Sequence, residues 1–152
     1  MPQNNFVART ARRNGQISFL ELDAQGRLPV SLEGGAGSAP VAAFSPNEAN
    51  AVATASLPAV AGETNSLSGF MITGAGATAA GLVQATITGL LGGTVTIPVA
   101  VPAGVDTSIA PVVVNFTSPL PASAPNQAIT ISLPALGAGN LAAAVGLWGS
   151  VG

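Results

Sequence analysis

Val83, Ala85 and Ile87 alternate with Gln84, Thr86 and Thr88 along GLVQATIT (81–88). Val95, Ile97, Val99 and Val101 repeat the pattern, as do Ile129, Ile131 and Leu133 against Thr130 and Ser132. A period of two places each apolar set on one face of a pleated strand and each polar set on the other. Comparable runs recur at fairly even spacing, each bounded by Gly, Pro, Asn or Ser: AVATASL (51–57), SLSGFMIT (66–73), TVTIPVAV (94–101), PVVVNFT (111–117) and QAITISL (127–133). AGNLAAAVGLW (138–148) is the only stretch compatible with a helix. Gly146 and the closing Trp148 keep the rhythm of the other runs, so LAAAVGLWG (141–149) reads as a seventh strand. Seven strands separated by turn signals predict an all-β fold, an antiparallel β-sandwich or jelly roll. Pro98 places its strand at an edge or at a bulge.

A chain of 152 residues is long enough for a core without covalent staples. With aromatics at 4%, that core must come from small and β-branched side chains. There is no Cys, hence no disulfide or thiolate metal site, which fits synthesis in a reducing cytoplasm. Charged residues make up 7% of the chain, against about 25% in an ordinary soluble domain. All four cations fall within the first 27 residues, and from Thr64 to Gly152 the only charged side chain is Asp106. The polar faces therefore carry Thr, Ser and Gln, which hydrogen-bond well but do not repel a second protein surface. Such a body is predicted to lie against other subunits. No apolar run has the length of a membrane span. MPQNNFVARTARRNG has arginines with no apolar stretch behind them, so no secretory signal is expected.

Composition divides the chain at residue 50. Residues 1–50 hold every arginine and four of the six acids. QISFLEL (16–22), the turn candidate DAQG (23–26) and RLPVSLE (27–33) suggest a hairpin or extended arm, followed by the Gly-rich joint GGAGSAP (34–40). Residues 51–152 form the expected sandwich body.

Candidates for chemistry are few. With no His and no Lys, Glu63 (AGETN) and Asp106 (AGVDT) are the acid–base candidates in the body, and turn capping accounts for both. Serines and threonines lack an activating partner, and there is no GxSxG elbow. GAGAT (74–78) and LLGGT (90–94) lack the Lys-Ser/Thr of a phosphate cradle, and no window holds the acids of a calcium loop. No cofactor or metal is expected, and no enzymatic activity. RTARR (9–13) carries too few cations for a nucleic-acid binder. Arg9, Arg12, Arg13 and Arg27 are instead candidates for contact with an acidic partner protein, the alternative being a merely solvated tail. Trp148 reads as core or interface before sugar platform, and Phe70 and Phe116 read as core.

The phrases TGAGATAA, GLLGGT, VPAG and LPASAPNQAI give residues 51–149 a further reading. In them the chain resembles the cement or decoration proteins of tailed-bacteriophage heads. The resemblance implies a sandwich or jelly-roll body, often a homotrimer, that bridges major capsid proteins on the head surface of the virion, with an N-terminal arm adding grip. It transfers no individual functional residue. The alternative is a receptor- or carbohydrate-binding module of a phage tail fibre or spike, with specificity in SPLPASAPNQ (118–127) and Trp148.

Overall fold

The computed structural model describes residues 38–152, which belong to one compact unit. The arm and hairpin expected over residues 1–33, with Arg9, Arg12, Arg13 and Arg27, lie outside the described residues. Eight strands follow one another: β1 (Ala39–Phe44), β2 (Ala53–Leu57), β3 (Asn65–Gly74), β4 (Gly81–Leu90), β5 (Gly93–Val101), β6 (Val112–Pro121), β7 (Ile129–Leu133) and β8 (Ala143–Val151). Seven coincide with the runs read from the sequence, and residues 143–151 are strand, as the rhythm of Gly146 and Trp148 indicated. β1 is an addition: Ala39–Phe44 pairs with β8 although it precedes residue 51, where composition placed the start of the body.

The pairing is nested. β4 pairs with β5, β3 with β6, β2 with β7 and β1 with β8, all antiparallel. The chain is thus one long hairpin, doubled back at the β4–β5 turn, whose successive pairs alternate between two sheets. The resulting orders, β1-β8-β3-β6 and β2-β7-β4-β5, make the fold a jelly roll.

The inner faces meet in a core of aliphatic side chains. Leu57, Leu67, Ile72, Ile87, Ile129, Ile131, Leu133 and Leu147 are all but inaccessible to solvent. Full burial of each stabilises the fold by about 1.5–3 kcal/mol. Phe70 and Phe116 supply the aromatic contact, their ring centroids 6.1 Å apart in a tilted arrangement.

Two bulges keep the alternation in phase with this core. Leu67 and Phe70 are three residues apart, so a regular strand would point them to opposite faces. The register of β3 against β8 slips between Leu67 and Gly69, leaving Ser68 as an extra residue, and both Leu67 and Phe70 are buried. Ile87 and Leu90 show the same spacing on β4, where the register against β5 slips and Gly89 takes a φ of 87°. Both are again buried.

A buried asparagine pins each end of the sandwich. Asn65 Nδ2 donates to the Pro58 and Gln127 carbonyls, each at 2.9 Å, tying the β2–β3 and β6–β7 connections together. At the far end Asn140 Nδ2 donates to the Ala75 and Ala142 carbonyls at 2.6 and 3.1 Å, while Asn50 N–H donates to Asn140 Oδ1 at 3.3 Å. Prolines mark three of the four edge strands: Pro40 on β1, Pro98 on β5, and Pro119 and Pro121 on β6. They remove N–H donors from edges that could otherwise pair with another chain.

Candidate functional site

The body holds three ionisable side chains among the described residues, Glu48, Glu63 and Asp106. The two acids singled out from the sequence do not meet. The loop of Glu63 is tied to Asn126 and to the C-terminus, since Asn126 N–H donates to the Glu63 carbonyl and Thr64 N–H to that of Gly152. The loop of Asp106 is tied to the other end of β3, where Gly76 N–H donates to the Thr107 carbonyl. The ten residues of β3 lie between them, a span of roughly 30 Å. Among the described residues no three His, Cys, Asp or Glu side chains cluster as metal ligands, and no helix is long and apolar enough to cross a membrane.

What distinguishes the surface is a contrast between its two sheet faces. On the outer face of β2-β7-β4-β5, Thr54, Ser132, Thr86 and Thr96 form a row across all four strands. Ser56, Thr130 and Thr88 form a second row, in which the Ser56 and Thr130 hydroxyls lie 2.8 Å apart. This is the threonine-lined sheet that the alternating runs foretold.

The outer face of β1-β8-β3-β6 is uncharged and more apolar, with a few amide and hydroxyl side chains. Phe44, Gly146, Met71 and Val113 form one row across it, with Phe44 62% and Val113 58% exposed. The next row is Ala42, Trp148, Gly69 and Asn115, and the third is Pro40, Ser150, Ser66 and Pro121. None of the twelve residues is charged.

Two glycines let the large side chains lie down on this face. A Cβ on Gly146 would run into the Phe44 ring and lie 3.1 Å from Met71 Cγ. A Cβ on Gly69 would lie 2.5 Å from Trp148 Cζ2. Each glycine thus makes room for an aromatic ring from the neighbouring strand, which covers its bare backbone. Trp148 is half-buried on the outer face rather than in the core. Sequence reasoning singled out Trp148 but missed Phe44, Met71 and Val113, because four residues from four strands share no local pattern. The run VAAF (41–44) is apolar throughout and shows no alternation by which β1 could be read.

A smaller apolar feature sits at the β4–β5 hairpin, where a shallow notch of about 310 Å³ is lined by Leu90, Leu91, Val95, Leu120 and Pro121. Leu91 on its rim is 67% exposed.

The chain was compared with protein-family models, curated proteins and solved structures. It matches none of them.

Proposed function

We propose that this protein is a structural subunit of a virion, a cement or decoration protein that attaches to the major capsid protein of a tailed-phage head and bridges its subunits. The observation that carries the reading is the surface of the body: a jelly roll with three acids, no cation and one uncharged aromatic-bearing sheet face among its described residues. Isolated soluble domains rely on surface charge to stay apart, and a face of this kind is stable when covered. The turn phrases quoted above direct the reading to phage heads.

Attachment divides between the two parts of the chain. The eight strands among the described residues lie within residues 39–151, whereas every arginine lies within residues 1–27. Deleting residues 1–33 is expected to leave thermal unfolding of the body unchanged and to weaken binding to purified capsids that lack the protein. Binding of the full chain is expected to saturate in co-sedimentation and to weaken between 50 and about 300 mM salt, because exposed arginine contacts are screened beyond about 10 Å at 0.1 M. Absence of saturable capsid binding would remove this function.

One observation favours the carbohydrate reading: Trp148 shares an outer row with Asn115, an aromatic ring beside an amide. On that reading a glycan array gives reproducible binding that Trp148→Ala abolishes. On the reading preferred here the array is blank.

A further inference from the structure

We infer that the outer face of β1-β8-β3-β6 is a self-association surface on which a second copy of this chain packs, sheet against sheet, about a two-fold axis. The inference rests on the assembly reading above, but not on the identity of the shell protein.

Three observations select this occupant. The first is size. Four strands about 4.8 Å apart make a face roughly 19 Å wide, and six to ten residues at about 3.3 Å make it roughly 20–33 Å long. Two such faces bury on the order of 1,000 Å², which reaches the lower bound for a specific interface. The second is chemistry. A charged partner would find nothing on this face to complement, whereas a second copy presents the same neutral, aromatic-bearing surface and meets no like-charge repulsion. The third is the state of the edges. Prolines on β1 and β6 obstruct strand addition at both edges of this sheet, so association through it falls to its face.

The rows also suit one another. With the axis along the Ala42–Trp148–Gly69–Asn115 row, the bulky Phe44–Met71–Val113 row of one copy lies over the Pro40–Ser150–Ser66–Pro121 row of the other. In the two flanking rows large side chains then meet small ones, while along the axis each residue faces its own copy, Trp148 against Trp148, as two sheets pack within one sandwich. An isologous contact of this kind closes on itself and gives a dimer. It departs from the threefold assembly implied by the phage resemblance.

Sedimentation velocity on the full chain at about 10–100 μM tests the inference. The wild type is expected to run as a dimer. Val113→Lys, at an exposed position, is expected to keep the wild-type melting curve and to weaken dimerisation at least about tenfold. Thr96→Lys, on the hydroxyl face, should remain dimeric. Because the chain has no Cys, single-cysteine variants give a second readout independent of mass. Facing sheets lie about 10 Å apart, so a bismaleimide of about that length should link Asn115→Cys into dimers and leave Thr96→Cys unlinked. A monomeric or trimeric wild type, a Val113→Lys protein that assembles like the wild type, or cross-linking through position 96 instead of 115 would each overturn it. A monomeric wild type that still binds capsids discards this surface alone, and a dimer that ignores capsids discards the virion reading alone.

Discussion

Gly149→Ala is expected to destabilise the sandwich by about 3 kcal/mol, a large share of the roughly 5–15 kcal/mol available to a domain of this size. Gly149 sits in β8 between Val41 of β1 and Leu67 of β3. A Cβ there would run into the Ser66 carbonyl oxygen and would lie 2.9 Å from its carbon and 3.1 Å from Leu67 Cα. All three are backbone atoms, so no rotamer change relieves the clash. β8 is paired on both sides and has little freedom to withdraw, and the crowded position directly precedes the bulge at Ser68. The substitution therefore strains the ladder that joins three of the four strands in this sheet. Urea unfolding measures the loss, with Gly92→Ala as the control, since a Cβ at Gly92 meets nothing within 4 Å. The control should fall within about 0.5 kcal/mol of the wild type. A loss below about 1 kcal/mol at Gly149 would show that β3 and β8 slide past one another more easily than this packing allows.

The same ladder shows where the sequence was informative and where it was not. Ile129, Ile131 and Leu133 announce β7 because a strand buried on one face must alternate, and each of the three is inaccessible in the fold. Pro98 announced an edge, and β5 is an edge strand. The bulges escaped because they break the signal being read: Leu67 with Phe70, and Ile87 with Leu90, are core pairs at a spacing of three. The neighbouring glycines, Gly69 and Gly89, were the available marks of irregular strands. β1 escaped because its first two residues, Ala39 and Pro40, fall at the end of the joint expected at 34–40, and VAAF (41–44) is apolar throughout with no alternation to mark a strand. Strand order is set by pairings between distant segments, such as Phe44 with Gly146, and a one-dimensional pattern does not encode them.

The candidate surface divides in the same way. The hydroxyl face was legible, because each of its residues is the polar member of an alternating pair within one strand. The more apolar face was not, because Phe44, Met71 and Val113 come from runs separated by tens of residues and gain meaning only as a row. The exposure of Phe44 and Val113 reverses the ordinary arrangement of a one-sided sheet, in which the outer face is polar. On the proposal made above, this second uncharged face, on a sheet that already covers a core, is covered by another layer of protein. A neighbouring subunit is the simplest such layer, and the absence of charge on the face makes a like surface acceptable. The same logic explains why Gly69 and Gly146 lie in the interior of strands, where glycine normally weakens the sheet. Each allows an aromatic ring to lie low, keeping the outer surface flat enough for another sheet to approach.

Asn140→Ala is expected to lower stability by about 2–3 kcal/mol, with the damage concentrated at one end of the sandwich. The side chain is 2% exposed and reaches three otherwise separate segments: Asn50, the Ala75–Gly76 turn after β3, and Ala142 at the entrance to β8. Alanine removes both the amide donor and the oxygen acceptor, leaving the Ala75 carbonyl and the Asn50 N–H short of a partner. Each unsatisfied buried group costs about 1–3 kcal/mol, reduced where water reaches the site. Asn140→Asp separates the two roles: it keeps the acceptor for Asn50 but turns the amide donor into an acceptor facing the Ala75 and Ala142 carbonyls. It should be at least as destabilising as alanine near neutral pH, through repulsion between a carboxylate and carbonyl oxygens in a buried site. Hydrogen exchange distinguishes local from global loss. Faster exchange is expected at Ala75, Thr78 and Glu48, whose amides donate across this end. Amides near Asn65, the corresponding clamp at the far end, should change only by the global shift. Uniform acceleration at both ends would mean that the two clamps act as one cooperative unit, and that neither end opens without the whole sandwich.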